Sequence, residues 1–378
     1  MTSALLQAEN ISAQRSGRVV LQSCSLSVKL GERIAIYGPN GAGKSTMLQT
    51  LAALLPIASG RISFRGKAVG REVSLLDFHR RTAAVFQEPL LLRGTVRHNV
   101  ELGLKLRGMA APERAARIQP WLDRLHISHL GDRPVGALSG GEAQRTSLAR
   151  ALVLDPEVFF LDEPFAALDA PTRTRLTDEL DEILDEQQIA TLFVTHDIDE
   201  AAALCDHCVV LDAGRVLQQD NMATVLARPT SRRVAEIIGV SNIFEARVVD
   251  AEPGGTWLEW SGHRIHTIAR ARVGECVTFL IRQEQIRLQA AGDEAINRIR
   301  GRVCDNRRRG RRRSISVCVG NVLRIEVPAD LSDCTRPGEE ITVLFPPDAV
   351  WIFPERSENL VEPQRGFVRA RSLDPRSL

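Results

Sequence analysis

The fold is decided by residues 38–46, Gly38-Pro39-Asn40-Gly41-Ala42-Gly43-Lys44-Ser45-Thr46, which match the pattern G-x-x-x-x-G-K-[ST]. The glycines let the backbone turn so tightly that its N–H groups converge on an anion, an arrangement that a β-carbon would obstruct. Lys44 supplies a positive charge for the β- and γ-phosphates of a nucleotide, and the Ser45 hydroxyl is suited to Mg²⁺. All nine residues are therefore predicted to contact a nucleoside triphosphate, with Ser45 also a magnesium ligand.

The residues on either side of this loop fit the same interpretation. Residues 33–37 form a short, largely apolar run that is typical of a strand. After the loop, apolar residues recur with helical spacing as far as Leu55. In the order strand, glycine loop, helix, the positive end of the helix dipole points at the phosphates.

A second helix N-terminus that suits an anion follows at 138–145, Leu138-Ser139-Gly140-Gly141-Glu142-Ala143-Gln144-Arg145. Ser139, Gly140 and Gly141 are predicted to offer a hydroxyl and free N–H groups at the start of a long helix. Between about residues 95 and 130 the spacing of apolar residues is also helical. The sequence therefore predicts a mostly helical insertion inside an α/β domain.

Polar residues end two of the predicted strands. The apolar run 158–161 is followed by Asp162 and Glu163, and the run 191–195 is followed by His196. Functional groups at the carboxyl ends of strands are typical of a doubly wound sheet. Asp162 is predicted to hold Mg²⁺ and Glu163 to orient and deprotonate the attacking water, with a solvated Asp-Glu turn as the alternative. Further strands are predicted at 57–64, 85–87 and 208–211.

The motifs resemble, in order and approximate spacing, those of the ATP-binding subunit of ABC transporters over about residues 5–235. The matching features are the phosphate loop, Gln87, the Leu-Ser-Gly-Gly-Glu motif, Asp162-Glu163, Ala167-Leu168-Asp169 and His196. The resemblance implies an α/β P-loop NTPase with a RecA-like core, an antiparallel β subdomain and a helical subdomain at about 88–155, together forming an ATPase domain at 1–239. ATP and Mg²⁺ are the implied cofactors.

Three further site residues follow from the resemblance and from side-chain chemistry. The Gln87 amide is predicted to coordinate Mg²⁺ or the attacking water, and His196 to contact the γ-phosphate and stabilise charge as it develops. Asp169 is implied by the resemblance alone, as a contact across subunits. A surface glutamine and a histidine that caps a strand end are the alternatives for the first two.

The position expected to cover the adenine departs from the family. Where the family has an aromatic ring, this chain has Ala13-Gln14-Arg15-Ser16-Gly17. Arg15 is predicted to stack its planar guanidinium on the base, and a merely solvated arginine stays equally open. Triphosphate binding is therefore a stronger prediction than a preference for adenine.

Two phosphate-binding ends in one domain predict a homodimer, because the Ser139 end lies on the inserted subdomain and is expected to face the phosphate loop of a second copy. The resemblance implies two transmembrane permease subunits, an extracytoplasmic solute-binding protein and a peripheral place on the cytoplasmic face of the membrane. The rival classes are a soluble ATPase acting on ribosomes or DNA, and an exporter. Nucleic acid is not a predicted partner.

Residues 240–353 carry an internal repeat of short strands, in which 242–248 resemble 297–303 and 273–277 resemble 337–341. All-β, OB-like tandem barrels are predicted, similar to the paired TOBE/Mop-type regulatory domain of one subclass of importer ATPases. The barrel pair and the segment 85–92 together look most like those of molybdate, tungstate or sulfate importers, which favours such a solute and an oxyanion as a ligand of the β domain. Sugar, polyamine and ferric-ion import stay open. Residues 354–378 lack periodicity and are predicted to form a disordered tail.

Composition places few limits on partners. The chain of 378 residues has 49 basic and 47 acidic residues and a net charge of +2, which gives no overall bias toward nucleic acid or an anionic membrane. Seven scattered cysteines predict a reduced, cytoplasmic chain, with Cys205 and Cys208 as buried thiols rather than metal ligands. No run approaches the roughly 18 apolar residues of a membrane span. The basic run 307–313 is predicted to be an exposed hairpin tip, with contact to an anion or nucleic acid as the alternative.

Overall fold

The computed structural model describes residues 4–289, 293, 295–309, 312–328 and 336–353. The predicted tail at 354–378 lies outside these residues. The chain divides into a first unit, Met1–Pro229 with Arg233–Gly239, and a second unit, Thr230–Arg232 with Val240–Leu378. In the described part of the chain, no helix is both long and apolar enough to cross a membrane.

Strands and helices are interspersed along the chain as far as Ile237. Their bounds are β1 Leu6–Arg15, β2 Arg18–Val28, β3 Arg33–Tyr37, α1 Lys44–Leu51, β4 Ser59–Phe64, β5 Lys67–Ala68, α2 Leu75–Arg81, β6 Thr82–Val85, α3 Val96–Leu106, α4 Ala111–Arg124, α5 Gly140–Leu152, β7 Val158–Asp162, α6 Ala170–Gln187, β8 Ala190–Thr195, α7 Ile198–Leu204, β9 His207–Asp212, β10 Arg215–Asn221, α8 Met222–Ala227 and α9 Arg232–Ile237.

The first unit is built on two sheets. The larger has the strand order β10-β9-β3-β8-β7-β6, in which β6, β7, β8, β3 and β9 run parallel and β10 is an antiparallel edge. The smaller sheet, β2-β1-β4-β5, is antiparallel. Helices α3, α4 and α5 fall within the predicted helical subdomain at about 88–155. The predicted α/β P-loop fold with additional β and helical parts is confirmed.

The central strands are continuous apolar runs because both faces of the sheet are covered. Every residue of β7 and of β8 is buried. Phe159, Phe160 and Phe193 are fully buried, and Phe165 just after β7 contacts the Phe193 ring at a centroid distance of 5.9 Å. Aromatic packing of this kind fixes the strand ends, which carry the polar residues.

Two element ends differ from the sequence prediction. α1 ends at Leu51 rather than near Leu55, because Ala53 has a φ of 55° and the N–H groups of Leu54 and Leu55 both return to the Gln49 carbonyl. A left-handed residue followed by such bonds terminates a helix. β6 ends at Val85, so Gln87 lies in the loop after the strand and not within it.

The second unit contains two antiparallel sheets that exchange a strand. The orders are β13-β12-β11-β14-β20 and β15-β19-β16-β17-β18. Within the described residues, each repeat thus sends its last short strand to the other repeat's sheet. The strands are β11 Ile243–Glu252, β12 Gly255–Trp260, β13 His263–Thr267, β14 Cys276–Ile281, β15 Arg287–Leu288, β16 Asn297–Arg309, β17 Arg312–Cys318, β18 Val322–Pro328, β19 Glu340–Phe345 and β20 Val350–Ile352.

Matching contacts confirm the internal repeat. The Gly274 N–H donates to Val248 O and the Gly338 N–H donates to Val303 O, both at 2.8 Å. Both sheets contribute side chains to one hydrophobic core. Closure into two separate OB-like barrels stays a prediction, because strand exchange and a shared core join the two halves.

The buried residues Asn242 and Asn297 hold the two repeats together. The Asn242 amide donates to Arg324 O and accepts from the Arg324 N–H. The Asn297 amide makes the same pair of bonds with His266. Each asparagine thus bonds the backbone of the opposite repeat, which explains why both repeats begin with this residue.

The prediction that all the cysteines are reduced is wrong for two of them. Cys304 and Cys318 form a disulfide between β16 and β17, with their Cα atoms 5.9 Å apart, a separation suited to such a bond. The pairing depends on strand register and not on sequence spacing. Cys205 and Cys208 are buried free thiols, and burial raises the pKa of Cys208 to about 12. The hairpin at 307–313 is confirmed by the pairing of Arg309 with Arg312, while Gly310 and Arg311 lie outside the described residues.

Candidate active site

The phosphate loop lies at the carboxyl end of β3 and leads into α1. Gly43 precedes α1 with a φ of 103°, and no side chain caps this helix, so its first N–H groups are left for a ligand. A β-carbon on Gly38 would lie 2.1 Å from Leu211 O, which excludes any other residue at that position without movement of the backbone. The loop thus presents backbone donors at the sheet edge, as the sequence predicted.

Lys44 is folded back onto this loop. Its Nζ donates to Gly38 O at 2.8 Å and to Pro39 O at 3.2 Å, and only 6% of the residue is exposed. Burial lowers the pKa of the Lys44 ammonium, while the negative charges of Glu163 and Asp162 act to raise it. The cation is therefore held at the loop between backbone oxygens and two carboxylates.

Ser45 and Asp162 form the candidate magnesium site. The Ser45 Oγ donates to Asp162 Oδ1 at 2.9 Å. Burial raises the pKa of the Asp162 carboxyl, and the Ser45 hydrogen bond opposes this shift. A hydroxyl and a carboxylate fit Mg²⁺, which takes oxygen ligands and needs few from the protein when phosphates and water supply the rest.

Gln87 lies at the same edge of the sheet as Asp162. Val85 pairs with Leu161 in parallel register, so Gln87, two residues beyond Val85, and Asp162, one beyond Leu161, leave adjacent strands in the same direction. Gln87 is exposed. Its assignment as a third magnesium ligand stays a prediction that this placement favours.

Glu163 and His196 meet beside this site. His196 Nδ1 lies 3.2 Å from Glu163 Oε2, and the Glu163 N–H donates to Val194 O at 2.9 Å. Glu163 has a φ of 46°, a left-handed conformation that costs free energy in a non-glycine residue and that clusters at functional sites. The structure therefore brings together the predicted base and the predicted phosphate contact.

A separate cleft of about 500 Å³ holds the second predicted anion site. It is lined by Ser139, Gly140, Gly141 and Asp169, together with Arg145 and others. The Ser139 Oγ accepts from the Glu142 N–H, and Glu142 Oε2 accepts from the Ser139 N–H at 2.7 Å, which closes a capping box. The box engages the N–H groups of Ser139 and Glu142, while a hydroxyl that accepts one hydrogen bond still has its O–H to donate. Contact of Ser139, Gly140 and Gly141 with a phosphate stays a prediction.

Arg15 ends β1 at the turn into β2, where it pairs with Arg18, and it is exposed. The same hairpin approaches the phosphate loop, since Val20 O would lie 3.2 Å from a β-carbon on Gly43. This neighbourhood favours a role beside the nucleotide, but base stacking by Arg15 stays a prediction.

The sequence interpretation missed residues that hold the site loops. Arg150 of α5 donates to Leu90 O at 2.9 Å and to Pro89 O at 3.0 Å, which anchors the loop that carries Gln87. Arg173 of α6 donates to Leu168 O at 3.1 Å, in the loop that carries Asp169. No local pattern marks Arg150, because its acceptors lie 60 and 61 residues earlier in the chain and are brought near by folding. The acceptor of Arg173 lies five residues before it, and the sequence interpretation did not consider this contact.

Comparison with known proteins agrees with this geometry. The family model described as ABC transporter matches residues 21–166. The chain is 38% identical over 240 residues to the sulfate/thiosulfate import ATP-binding protein CysA of Synechococcus elongatus, covering 63% of this chain and 69% of the relative. It is 32% identical over 343 residues to the Fe(3+) ions import ATP-binding protein FbpC of Streptomyces avermitilis, covering 90% and 96%. The spermidine/putrescine import ATP-binding protein PotA of Nitrosospira multiformis is 34% identical, covering 80% and 84%.

Two solved structures match the first part of the chain. One is CbiO1 of Clostridium perfringens, part of the ABC transporter complex CbiONQ, with 33% identity, a TM-score of 0.55 and coverage of 62% of this chain and 93% of that one. The other is a dimeric post-hydrolysis state of the ATP-binding cassette MJ0796 bound to ADP and Pi, with 28% identity, a TM-score of 0.53 and coverage of 57% and 98%. The chain therefore belongs to the ABC transporter family, as an ATP-binding subunit of the importer type whose ATP hydrolysis is coupled to transport.

Proposed function

We propose that the chain drives solute import as a homodimer on the cytoplasmic face of the membrane, bound to two transmembrane permease subunits that receive solute from an extracytoplasmic binding protein. The observation that carries the proposal is the convergence, at one edge of a parallel sheet, of an uncapped phosphate loop, the Ser45–Asp162 contact and the Glu163–His196 contact. The relatives' names as import ATP-binding proteins support the direction of transport.

The site residues divide the proposed hydrolysis among them. Residues 38–46 bind the phosphates of ATP, and Lys44 exchanges its contacts with loop carbonyls for phosphate oxygens. Ser45, Asp162 and Gln87 would hold Mg²⁺, which neutralises phosphate charge when bound. Glu163 orients the attacking water and accepts its proton. His196 donates a hydrogen bond to the γ-phosphate.

A second copy completes each site in this proposal. Ser139, Gly140, Gly141 and Asp169 line one cleft, so a single face of the partner could bring all four to the γ-phosphate. The dimeric state described for the similar cassette MJ0796 supports this arrangement. Arg15 is proposed to cover the base.

An oxyanion is the proposed solute, with ferric ion or a polyamine as the second candidate. The sulfate/thiosulfate relative supports the first, and the FbpC and PotA relatives support the second. We assign the second unit, as a TOBE/Mop-type domain, to regulation by an oxyanion. The full-length Lys44→Ala variant, in which the phosphate loop is disabled, should still give saturable heat when it is titrated with molybdate, tungstate and sulfate, because the oxyanion is expected to bind the second unit. No heat would leave the second unit without this ligand.

The transport assignment is tested by purifying the tagged full chain from its native membranes. We expect two copies of the chain with two permease subunits, and ATP hydrolysis that rises when solute-loaded binding protein is added. Recovery with ribosomes or DNA and without a membrane protein would contradict the proposal.

A further inference from the structure

We infer that Arg173 is a positioning residue for hydrolysis, which holds the loop of Asp169 and the segment of His196 in one fixed arrangement. This inference rests on the proposed roles of Glu163 and His196. Arg173 lies on α6, and its Nη2 donates to Leu168 O at 3.1 Å, which fixes the loop on one side.

The other side of the Arg173 guanidinium faces two carboxylates. Arg173 Nε lies 3.5 Å from Glu200 Oε1, and Nη1 lies 3.9 Å from Asp197 Oδ2. The Arg173 Nε is buried and makes no aligned hydrogen bond, so its contact with Glu200 is chiefly electrostatic. The Glu200 side chain is only 11% exposed, which strengthens the attraction by excluding water.

One carboxylate belongs to Asp197, directly after His196, and the other to Glu200 in the first turn of α7. Thr195 Oγ1 donates to Glu200 Oε2 at 2.7 Å, and the Asp197 N–H donates to Thr195 Oγ1 at 3.0 Å. Asp197 Oδ1 in turn accepts from the Asp199 and Glu200 N–H groups and caps α7. The backbone is thereby fixed immediately before and immediately after His196.

The network links the two segments that carry the reacting pair. His196 Nδ1 lies 3.2 Å from Glu163 Oε2, while Leu168 lies in the loop that joins Glu163 to α6. Burial raises the pKa of the Glu200 carboxyl, and the charge of Asp197 raises it further, while the Thr195 hydrogen bond and the charge of Arg173 lower it. Arg173 thus offsets part of the repulsion between the two carboxylates. Loss of Arg173 leaves Glu200 and Asp197 without this compensation, and the His196 segment then shifts away from Glu163.

The test is a double-mutant cycle on the full chain, with ATP affinity and single-turnover hydrolysis measured separately. Arg173→Met and Glu200→Gln should each lower the rate constant of hydrolysis by about 10- to 100-fold, as expected for misplaced groups, with ATP affinity changed less than about twofold. The double variant should be no slower than the slower single variant, because both disrupt one unit. Arg173→Lys should recover part of the rate.

Arg114→Met is the matched control, because Arg114 makes a comparably buried ion pair with Glu101, at 3.3 Å, within the helical subdomain. Its hydrolysis rate should equal that of wild type. If Arg173→Met does not fold, the cycle is run with Glu200→Gln and Thr195→Val, which cut the same network. Wild-type hydrolysis in these variants, multiplicative effects in the double variant or an equal loss in Arg114→Met would overturn the inference.

Glu163→Gln is assayed beside them to separate the proposed role of Glu163 from the positioning role of Arg173. Wild-type turnover in Glu163→Gln would show that Glu163 is not the base. A large loss in Glu163→Gln with an unchanged rate in Arg173→Met would overturn the positioning role alone.

Discussion

Two helices of the first unit begin at glycine-rich motifs, and their N-termini differ. α1 follows Gly43 with no side-chain cap, whereas α5 follows Ser139 with a closed capping box made by Glu142. An uncapped end keeps its N–H donors for a ligand, and a capped end has already satisfied some of them. The phosphate loop thus has more unsatisfied N–H donors than the α5 end, in keeping with the proposal that the α5 end adds its contacts to a nucleotide already bound by a second copy.

The glycines at the two ends differ in the same sense. A β-carbon on Gly38 would lie 2.1 Å from a backbone oxygen, whereas one on Gly140 would have its nearest neighbour at 3.9 Å. The first glycine is required for folding of the loop itself. The second has room for a β-carbon, so folding of this chain does not require glycine there on steric grounds.

The largest expected effect concerns Glu163, which lies beside the phosphate loop and is not among the residues that line the cleft at the start of α5. Glu163→Gln should lower turnover by about 100-fold or more, roughly 2.7 kcal/mol, because the general base is lost while the phosphate contacts stay. Sedimentation should show a stable dimer when ATP is present. Unhydrolysed ATP keeps the phosphate loop of one copy and the α5 end of the other on the same nucleotide. A variant that turns over normally would refute the base assignment.

The glycine comparison gives the next effect. Gly38→Ala should lower the free energy of unfolding by about 2 kcal/mol, because the β-carbon collides with Leu211 O. Gly140→Ala should change the free energy of unfolding by less than about 0.5 kcal/mol. Urea unfolding without nucleotide measures both values, and equal losses would mean that the two ends are built alike.

Removal of the cap should have a smaller effect. Ser139→Ala should cost about 1 kcal/mol of unfolding free energy, as for other N-caps. The pKa of Glu142 is held below its ordinary value of 4.5, chiefly by the hydrogen bond from the Ser139 backbone. A depressed carboxyl pKa stabilises the fold above the unfolded value, so this contribution is present above about pH 4.5 and lost as the pH falls through the folded pKa.

Glu142→Gln isolates that contribution, because glutamine keeps an acceptor for the Ser139 N–H but does not titrate. The difference in unfolding free energy between wild type and Glu142→Gln should shrink as the pH falls below 4.5. A difference that is constant with pH would show that the charge of Glu142 does not stabilise the capped end.

Arg15→Tyr is expected to give the smallest effect. An aromatic ring at this position should raise ATP affinity by up to about 1 kcal/mol, if the base is held beside the phosphate loop. Arg18→Tyr, on the paired strand, is the matched control and should not change affinity. Equal binding by all three proteins, measured by calorimetry, would mean that another residue covers the base.

The sequence predicted the phosphate loop, Asp162, Glu163 and His196 because their chemistry is concentrated in short segments at strand ends. The Ser139–Glu142 box was also readable, since Ser-x-x-Glu before a helix is a capping pattern. Other features depend on folding. The Arg173–Glu200 contact joins two helices, the Cys304–Cys318 bond depends on strand register, and a repeat does not reveal that β15 and β20 exchange sheets.

The central claim is that one ATP is held between the phosphate loop of one copy and the α5 end of another, and mixing two inactive variants tests it. Lys44→Ala disables the loop and Ser139→Arg blocks the α5 end, so neither homodimer should hydrolyse ATP. Random mixing in equal amounts makes half of the dimers mixed, each with one intact site of two, and should restore up to about a quarter of wild-type activity. Activity no higher than the sum of the two separate variants would contradict the account.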